Sequence, residues 1–311
     1  MSKYVDSIIG HAIGDAMGVP TEFCIREHLL KNPVKEMISS LKVGQPAGAW
    51  SDDTSMEICT IESYIECGEF NYGNIMSKWV EWINEGKYTA NGDVFDVGRT
   101  CLTAIRKFSD GIAPVKCGLD GENSNGNGSL MRILPVALYS YSKKLSDEEI
   151  VNLTNDLSSL THANDISKLG CYIYVRFVIF LLEGKSKEET YNNIKQLDYS
   201  SYSKHAIEQY KRILTNNIKD CKLDDIKSTG YIVDTLECVL WILLNANSYK
   251  ETIIATTNIG NDTDTIGAIA GSMAGIIYGI ENIPKGWLDK LLKKDYLINL
   301  SETFEKTFDI I

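Results

Sequence analysis

Gly260-Asn261-Asp262-Thr263-Asp264-Thr265 opens a stretch that runs on as Ile266-Gly267-Ala268-Ile269-Ala270-Gly271-Ser272-Met273-Ala274-Gly275 and stays largely apolar to Ile280. Its hydroxyls and carboxylates suit a helix start, and the apolar run behind them reads as a buried helix over about 264–280. Glycines recur there at i, i+4 and i+8. Each costs a helix about 1 kcal/mol against alanine, so such a stripe suits a place where another backbone comes close. A second stripe, Gly10, Gly14 and Gly18, lies in the first helix, whose Val5, Ile8, Ile9, Ala12, Ile13 and Ala16 trace one face up to Gly18 and Pro20. Both helices are therefore expected at the centre of the fold and in tight contact. A local packing need unconnected with any site would explain the stripes equally well.

The pattern is helical almost throughout. Helices are expected over about 54–67, 72–85, 98–108, 129–141, 164–183, 201–217, 231–246 and 286–308. Ser146 with Glu149, Ser186 with Glu189 and Ser248 with Glu251 have the spacing of capping boxes. No run alternates as a strand would, and no shift of composition marks a linker. The expected fold is all-α, one compact domain over residues 1–311.

A second acidic motif, Trp50-Ser51-Asp52-Asp53-Thr54, also sits at a helix start. Either motif alone reads naturally as an N-cap. Together they carry more carboxylate than capping uses, and like charges at one helix start repel unless something positive lies between them. No Lys or Arg adjoins either motif. Hard divalent cations prefer oxygen ligands of this kind. Four carboxylates with their neighbouring hydroxyls, if folding brings them together, would hold a pair of such ions, an arrangement typical of hydrolysis or transfer at a phosphate or sugar centre.

Composition narrows the class. With 44% apolar and 23% charged residues the chain reads as a soluble globular protein, and 311 residues allow a substantial core. A net charge of −11 argues against a general nucleic-acid binder, which needs a basic surface. The longest apolar runs, 172–182 and 266–280, are shorter than the roughly 20 residues that span a bilayer, and the first residues lack the apolar core of a signal peptide. Eight cysteines without a C-x-x-C pair suggest neither zinc nor a disulfide framework. A cytoplasmic location, with no membrane association, is the expectation.

Residues 118–129, Gly-Leu-Asp-Gly-Glu-Asn-Ser-Asn-Gly-Asn-Gly-Ser, form a glycine-rich loop leading into an apolar run. Such a loop at a helix start presents free N–H groups to an anion, although most such loops are only flexible connections. The expectation is that residues 125–131 hold a diphosphate through backbone N–H groups. Tyr231, at a helix start, reads as packing.

The ordered set Gly14-Asp15-Ala16-Met17-Gly18-Val19-Pro20-Thr21-Glu22-Phe23, Ser51-Asp52-Asp53-Thr54, Phe95-Asp96-Val97-Gly98, Asn125-Gly126-Asn127-Gly128-Ser129-Leu130-Met131-Arg132, Thr161-His162-Ala163-Asn164 and Gly260–Thr265 resembles the ADP-ribosylglycohydrolase family, which includes the dinitrogenase-reductase-activating glycohydrolases. The resemblance runs from about residue 4 to about 292. It implies a compact all-α fold around two Mg²⁺ or Mn²⁺ ions, and hydrolysis of the N- or O-glycosidic bond between ADP-ribose and a protein side chain or small acceptor. It further implies Ser51, Asp52, Asp53, Asp262, Asp264 and Thr265 as metal ligands and Glu22 and Asp96 as catalytic acids. Asn127, Gly128 and Ser129 would line the ADP-ribose cleft, with His162 beside it. Many members carry two glycines where this chain has Gly260-Asn261. Asn tolerates the left-handed backbone better than most residues, so the turn is expected to survive.

Cleaving a ribosidic bond develops oxocarbenium character. Metals that grip the ribose diol and acidify a water, with a carboxylate to move the proton, suit that chemistry. ADP-ribosyl-arginine on a protein is the default substrate, and a monomer the expected form. The alternatives are a di-metal hydrolase of another ADP-ribose derivative or nucleotide, and a non-catalytic ADP-ribose-binding relative.

Overall fold

The computed structural model describes residues 2–308, and helix follows helix along them. The first half holds α1 (Lys3–Gly18), α2 (Arg26–Lys31), α3 (Asp52–Cys67), α4 (Tyr72–Glu85), α5 (Arg99–Ser109), α6 (Leu134–Lys143) and α7 (Asp147–Ser159). The second half holds α8 (Asp165–Leu182), α9 (Lys187–Ile194), α10 (Lys204–Gln209), α11 (Lys211–Thr215), α12 (Ile232–Asn245), α13 (Tyr249–Thr257), α14 (Thr263–Tyr278), α15 (Lys285–Lys290) and α16 (Lys294–Thr307). Among the described residues no strand forms; Ser40–Gln45, Leu119–His162 and Gly126–Tyr231 make isolated bridges only.

The two glycine stripes face each other. A Cβ on Gly14 would lie 1.9 Å from the carbonyl oxygen of Gly267, and one on Gly267 would lie 2.3 Å from that of Gly14. Gly10 meets Gly271 in the same way, Gly275 meets Asp6, and Gly18 abuts the backbone of Asp264. Helices α1 and α14 therefore run antiparallel, backbone to backbone, at a spacing only glycine permits. This register delivers the C-terminal end of α1 to the first turn of α14, and so sets two acidic segments side by side. Around the seam one continuous apolar core includes Trp50, Trp79, Trp82 and Trp287. The apolar run 172–182 lies buried in α8, with Arg176 paired to Asp147. No helix among the described residues is long and apolar enough to cross a membrane, and all eight cysteines are free.

Several boundaries differ from the periodic reading, each for a local reason. The capping boxes at Ser146 and Ser186 are complete. At Ser248 only half forms, because Glu251 accepts from the N–H of Asn247 instead. The helix expected from 129 starts at Leu134. Pro135 has no N–H to give the carbonyl of residue 131, so residues 129–132 stay in turns. The 201–217 helix breaks at Tyr210, which is fully buried and donates its hydroxyl to the Ile166 carbonyl at 2.8 Å. The 286–308 helix breaks before Lys293, at φ 54°, where Leu292 donates to the Gly48 carbonyl.

Candidate active site

Helix α3 begins at the first acidic motif, and its start is held from outside. Ser51 Oγ accepts from the Asp53 N–H at 3.3 Å and donates to Asp53 Oδ2 at 3.0 Å. The stronger anchor is Asp15, from the last turn of α1. Its two oxygens accept from the Ser51 N–H at 3.0 Å each, and its Oδ2 also accepts from Thr54 N at 3.2 Å and Thr54 Oγ1 at 2.6 Å. Asp15 thus occupies the helix start as a capping carboxylate would. It lies inside the Gly14–Phe23 segment, but its partners are far away in sequence, and nothing local betrayed this role.

The second motif turns sharply into α14. Gly260 and Asn261 both have positive φ, 84° and 60°. Asn261 keeps the turn as expected, donating its N–H to the Cys24 carbonyl at 3.1 Å and accepting from Phe23 N at 2.6 Å. Asp262 Oδ2 accepts from Asn127 Nδ2 at 2.6 Å. Thr265 Oγ1 stands 3.4 Å from Asp53 Oδ2, so the two motifs meet. Both oxygens of Asp264 and Oδ1 of Asp53 are buried with no hydrogen-bond partner. One oxygen each from Glu22, Asp96 and Asp264 lie within 4.8 Å of one another. Asp96 is held at φ 61°, a conformation that costs a non-glycine residue of order 1–3 kcal/mol and tends to mark a functional site.

Electrostatics agree with the geometry. Burial first, then the charges of Asp96 and Asp262, push the Glu22 carboxyl up to about 9. Burial and neighbouring carboxylates hold Asp52, Asp53 and Asp264 well above the ordinary range. Burial also raises Asp96 and Asp262, and takes Asp15 to about 7. Orphaned, mutually repelling, all-oxygen donors of this kind fit hard divalent cations.

The cluster floors a cleft of about 480 Å³. Glu22, Asp52, Asp96, Asp262 and Thr265 border it, while Ser51, Asp53 and Asp264 lie buried beneath. Asn127, Gly128 and His162 form one wall, and Thr229 and Gly230 stand near them. Ser129 turns away: its hydroxyl is fully buried and accepts from Cys171 Sγ at 3.4 Å. The loop also differs from a free anion cradle. The Asn127 N–H is spent on the Gly230 carbonyl, and those of Leu130 and Met131 on the Asn127 carbonyl. Gly128 is small for another reason, since a Cβ there would lie 2.7 Å from Cys101 Sγ and 2.9 Å from His162 Cε1.

Helices closed on a glycine seam, with acidic side chains gathered under an open cleft, define an all-α protein with a cation-ready site. The chain belongs to the ADP-ribosylglycohydrolase family, which it matches over residues 1–309. It is accordingly an enzyme that hydrolyses glycosidic linkages of ADP-ribose. It is 31% identical to an ADP-ribosylarginine hydrolase of Serratia proteamaculans, over 97% of this chain and 78% of that one. It is 28% identical to the ADP-ribosyl-dinitrogen reductase glycohydrolase of Rhodospirillum rubrum, over 93% and 90%. A solved ADP-ribosylglycohydrolase-related protein complex has the same fold, with a TM-score of 0.81, 23% identity, and 98% and 97% of the two chains covered.

Proposed function

We propose that the chain removes ADP-ribose from arginine side chains of modified proteins, acting as a cytoplasmic monomer with two Mg²⁺ or Mn²⁺ ions. The observation that carries the reading is the buried Asp264 carboxylate, unpartnered at both oxygens and converging with Glu22 and Asp96. Arginine as acceptor is supported by the relatives in Serratia proteamaculans and Pseudomonas putida, both 31% identical and both ADP-ribosylarginine hydrolases.

In this reading Ser51, Asp52, Asp53, Asp262, Asp264 and Thr265 hold the cations. When bound, these supply positive charge for the ribose hydroxyls and acidify a water. Glu22 and Asp96 form the acid–base pair. Glu22, whose carboxyl is raised to about 9 by burial and the neighbouring acids, is assigned the proton for the departing guanidine, and Asp96 the proton of the attacking water. Asn127, Gly128 and His162 hold the ADP-ribose, and Ser129 supports that wall from behind.

A release assay over ADP-ribosyl-arginine, ADP-ribosyl-serine and free nucleotides, with and without Mg²⁺ or Mn²⁺, tests this. Metal-dependent release from arginine is expected to be fastest. Faster release from serine would overturn the acceptor, and release unaffected by chelation would overturn the metal reading.

A further inference from the structure

Arg132 is fully buried, and among the described residues it makes no ion pair with a carboxylate. Its guanidinium lies over Trp79, 4.3 Å from the ring centroid. One nitrogen donates to the Leu157 carbonyl at 3.2 Å and to Thr161 Oγ1 at 2.8 Å, while Nε and Nη1 have no partner. Burying a guanidinium this way is costly, and the periphery of the cleft is where it is spent. Thr161 Oγ1 lies 2.8 Å from His162 Nδ1.

The three groups allow a single chain of donors. A guanidinium only donates, so the Thr161 oxygen accepts from Arg132. Its single hydrogen is then available to Nδ1 of His162, a contact whose direction the ring tautomer decides. With Nδ1 accepting, the ring proton sits on Nε2. That nitrogen faces the cleft loop, 3.6 Å from where a Cβ of Gly126 would stand and 3.5 Å from one on Gly128, and His162 borders the cleft. Burial, then the charge of Arg132, pushes the imidazole pKa down to about 3, which keeps the ring uncharged.

We propose that Arg132 and Thr161 are positioning residues that lock His162 as a neutral Nε2–H donor, aimed from the cleft wall at an acceptor oxygen of the ADP-ribose moiety. The proposal rests on the reading of the cleft given above. It explains a buried cation that otherwise serves no ion pair. It also makes the donor insensitive to pH, since neither Arg132 nor the neutral ring changes charge near neutrality.

The test uses the full chain with ¹⁵N-labelled histidine. There are four histidines, and His162→Gln assigns the signal. The expected spectrum has His162 protonated on Nε2 and bare on Nδ1, with the Nε2–H resonance shifting when ADP-ribose is added. Thr161→Val should mix the tautomers and raise KM about fivefold to tenfold, the worth of one hydrogen bond, with kcat little changed. Thr161→Ser should restore both. A wild-type ring protonated on Nδ1 overturns the relay, even if Thr161→Val fails to fold. A Nε2–H signal that ignores ADP-ribose overturns the donor role. These spectra are independent of turnover, so loss of activity on every ADP-ribosyl acceptor would count against the functional reading alone.

Discussion

Asp264 sits at the first turn of α14 with both oxygens buried and unpartnered, and burial first, then the charges of Glu22, Asp96 and Asp53, raises its pKa. Replacing it removes one of several repelling charges. Asp264→Ala should therefore abolish turnover while the metal-free protein melts at the same temperature or higher. On the proposed reading, Mn²⁺ should stabilise the wild type by about 2.7 kcal/mol at a hundredfold excess over Kd, and in the mutant this should vanish. Thermal melts with and without Mn²⁺ decide this, and a mutant that keeps the full metal-induced shift contradicts it. At this scale the carboxylates were legible because two short motifs hold more acid than caps require. Asp15, Arg132 and Thr161 were not, because their meaning lies in partners that only folding brings near: Ser51 and Thr54 for Asp15, Trp79 and Thr161 for Arg132.

Between elements, the contact that organises the site is the seam of α1 and α14. Gly14→Ala places a methyl 1.9 Å from the Gly267 oxygen, where no rotamer relieves it. The helices must separate, at a cost of at least about 1–3 kcal/mol, and the end of α1 moves from Asp264. Lower thermal stability together with weaker Mn²⁺ affinity is expected. Gly286→Ala, in α15 with open space around it, should be neutral or stabilise by up to about 1 kcal/mol. Equal effects of the two substitutions would refute the seam's role. The seam itself was readable from glycine spacing, and so was the all-α class. The late start of α6 was not read, although Pro135 sets it. The break at Tyr210 was not readable, since it answers a tertiary demand: Gly170 makes room for the Tyr210 hydroxyl, 2.3 Å from where its Cβ would be.

For the whole molecule, the gathered acids make stability depend on pH in an unusual direction. Glu22 and Asp15 have folded pKa values raised to about 9 and about 7, above ordinary values of 4.5 and 3.8. The folded state then holds more protons than the unfolded one, so metal-free stability falls as pH rises from about 4 through this window. The melting temperature of chelator-treated protein should decline between pH 5 and 8, and saturating Mn²⁺ should flatten or reverse the slope. A metal-free melting temperature that rises with pH over that range would show that the acids are relieved by some other charge. The seam has a further bearing, on how the protein is made. Helix α1 leaves the ribosome well before α14, and its glycine face has no partner until α14 follows. At typical elongation rates that interval is on the order of tens of seconds. For that time the nascent chain carries Asp52 and Asp53 without Asp262 and Asp264. On the proposed di-metal reading, cation capture would be one of the last events of synthesis, and a translation product truncated before α14 would lack half the proposed ligands and the surface that aligns the rest.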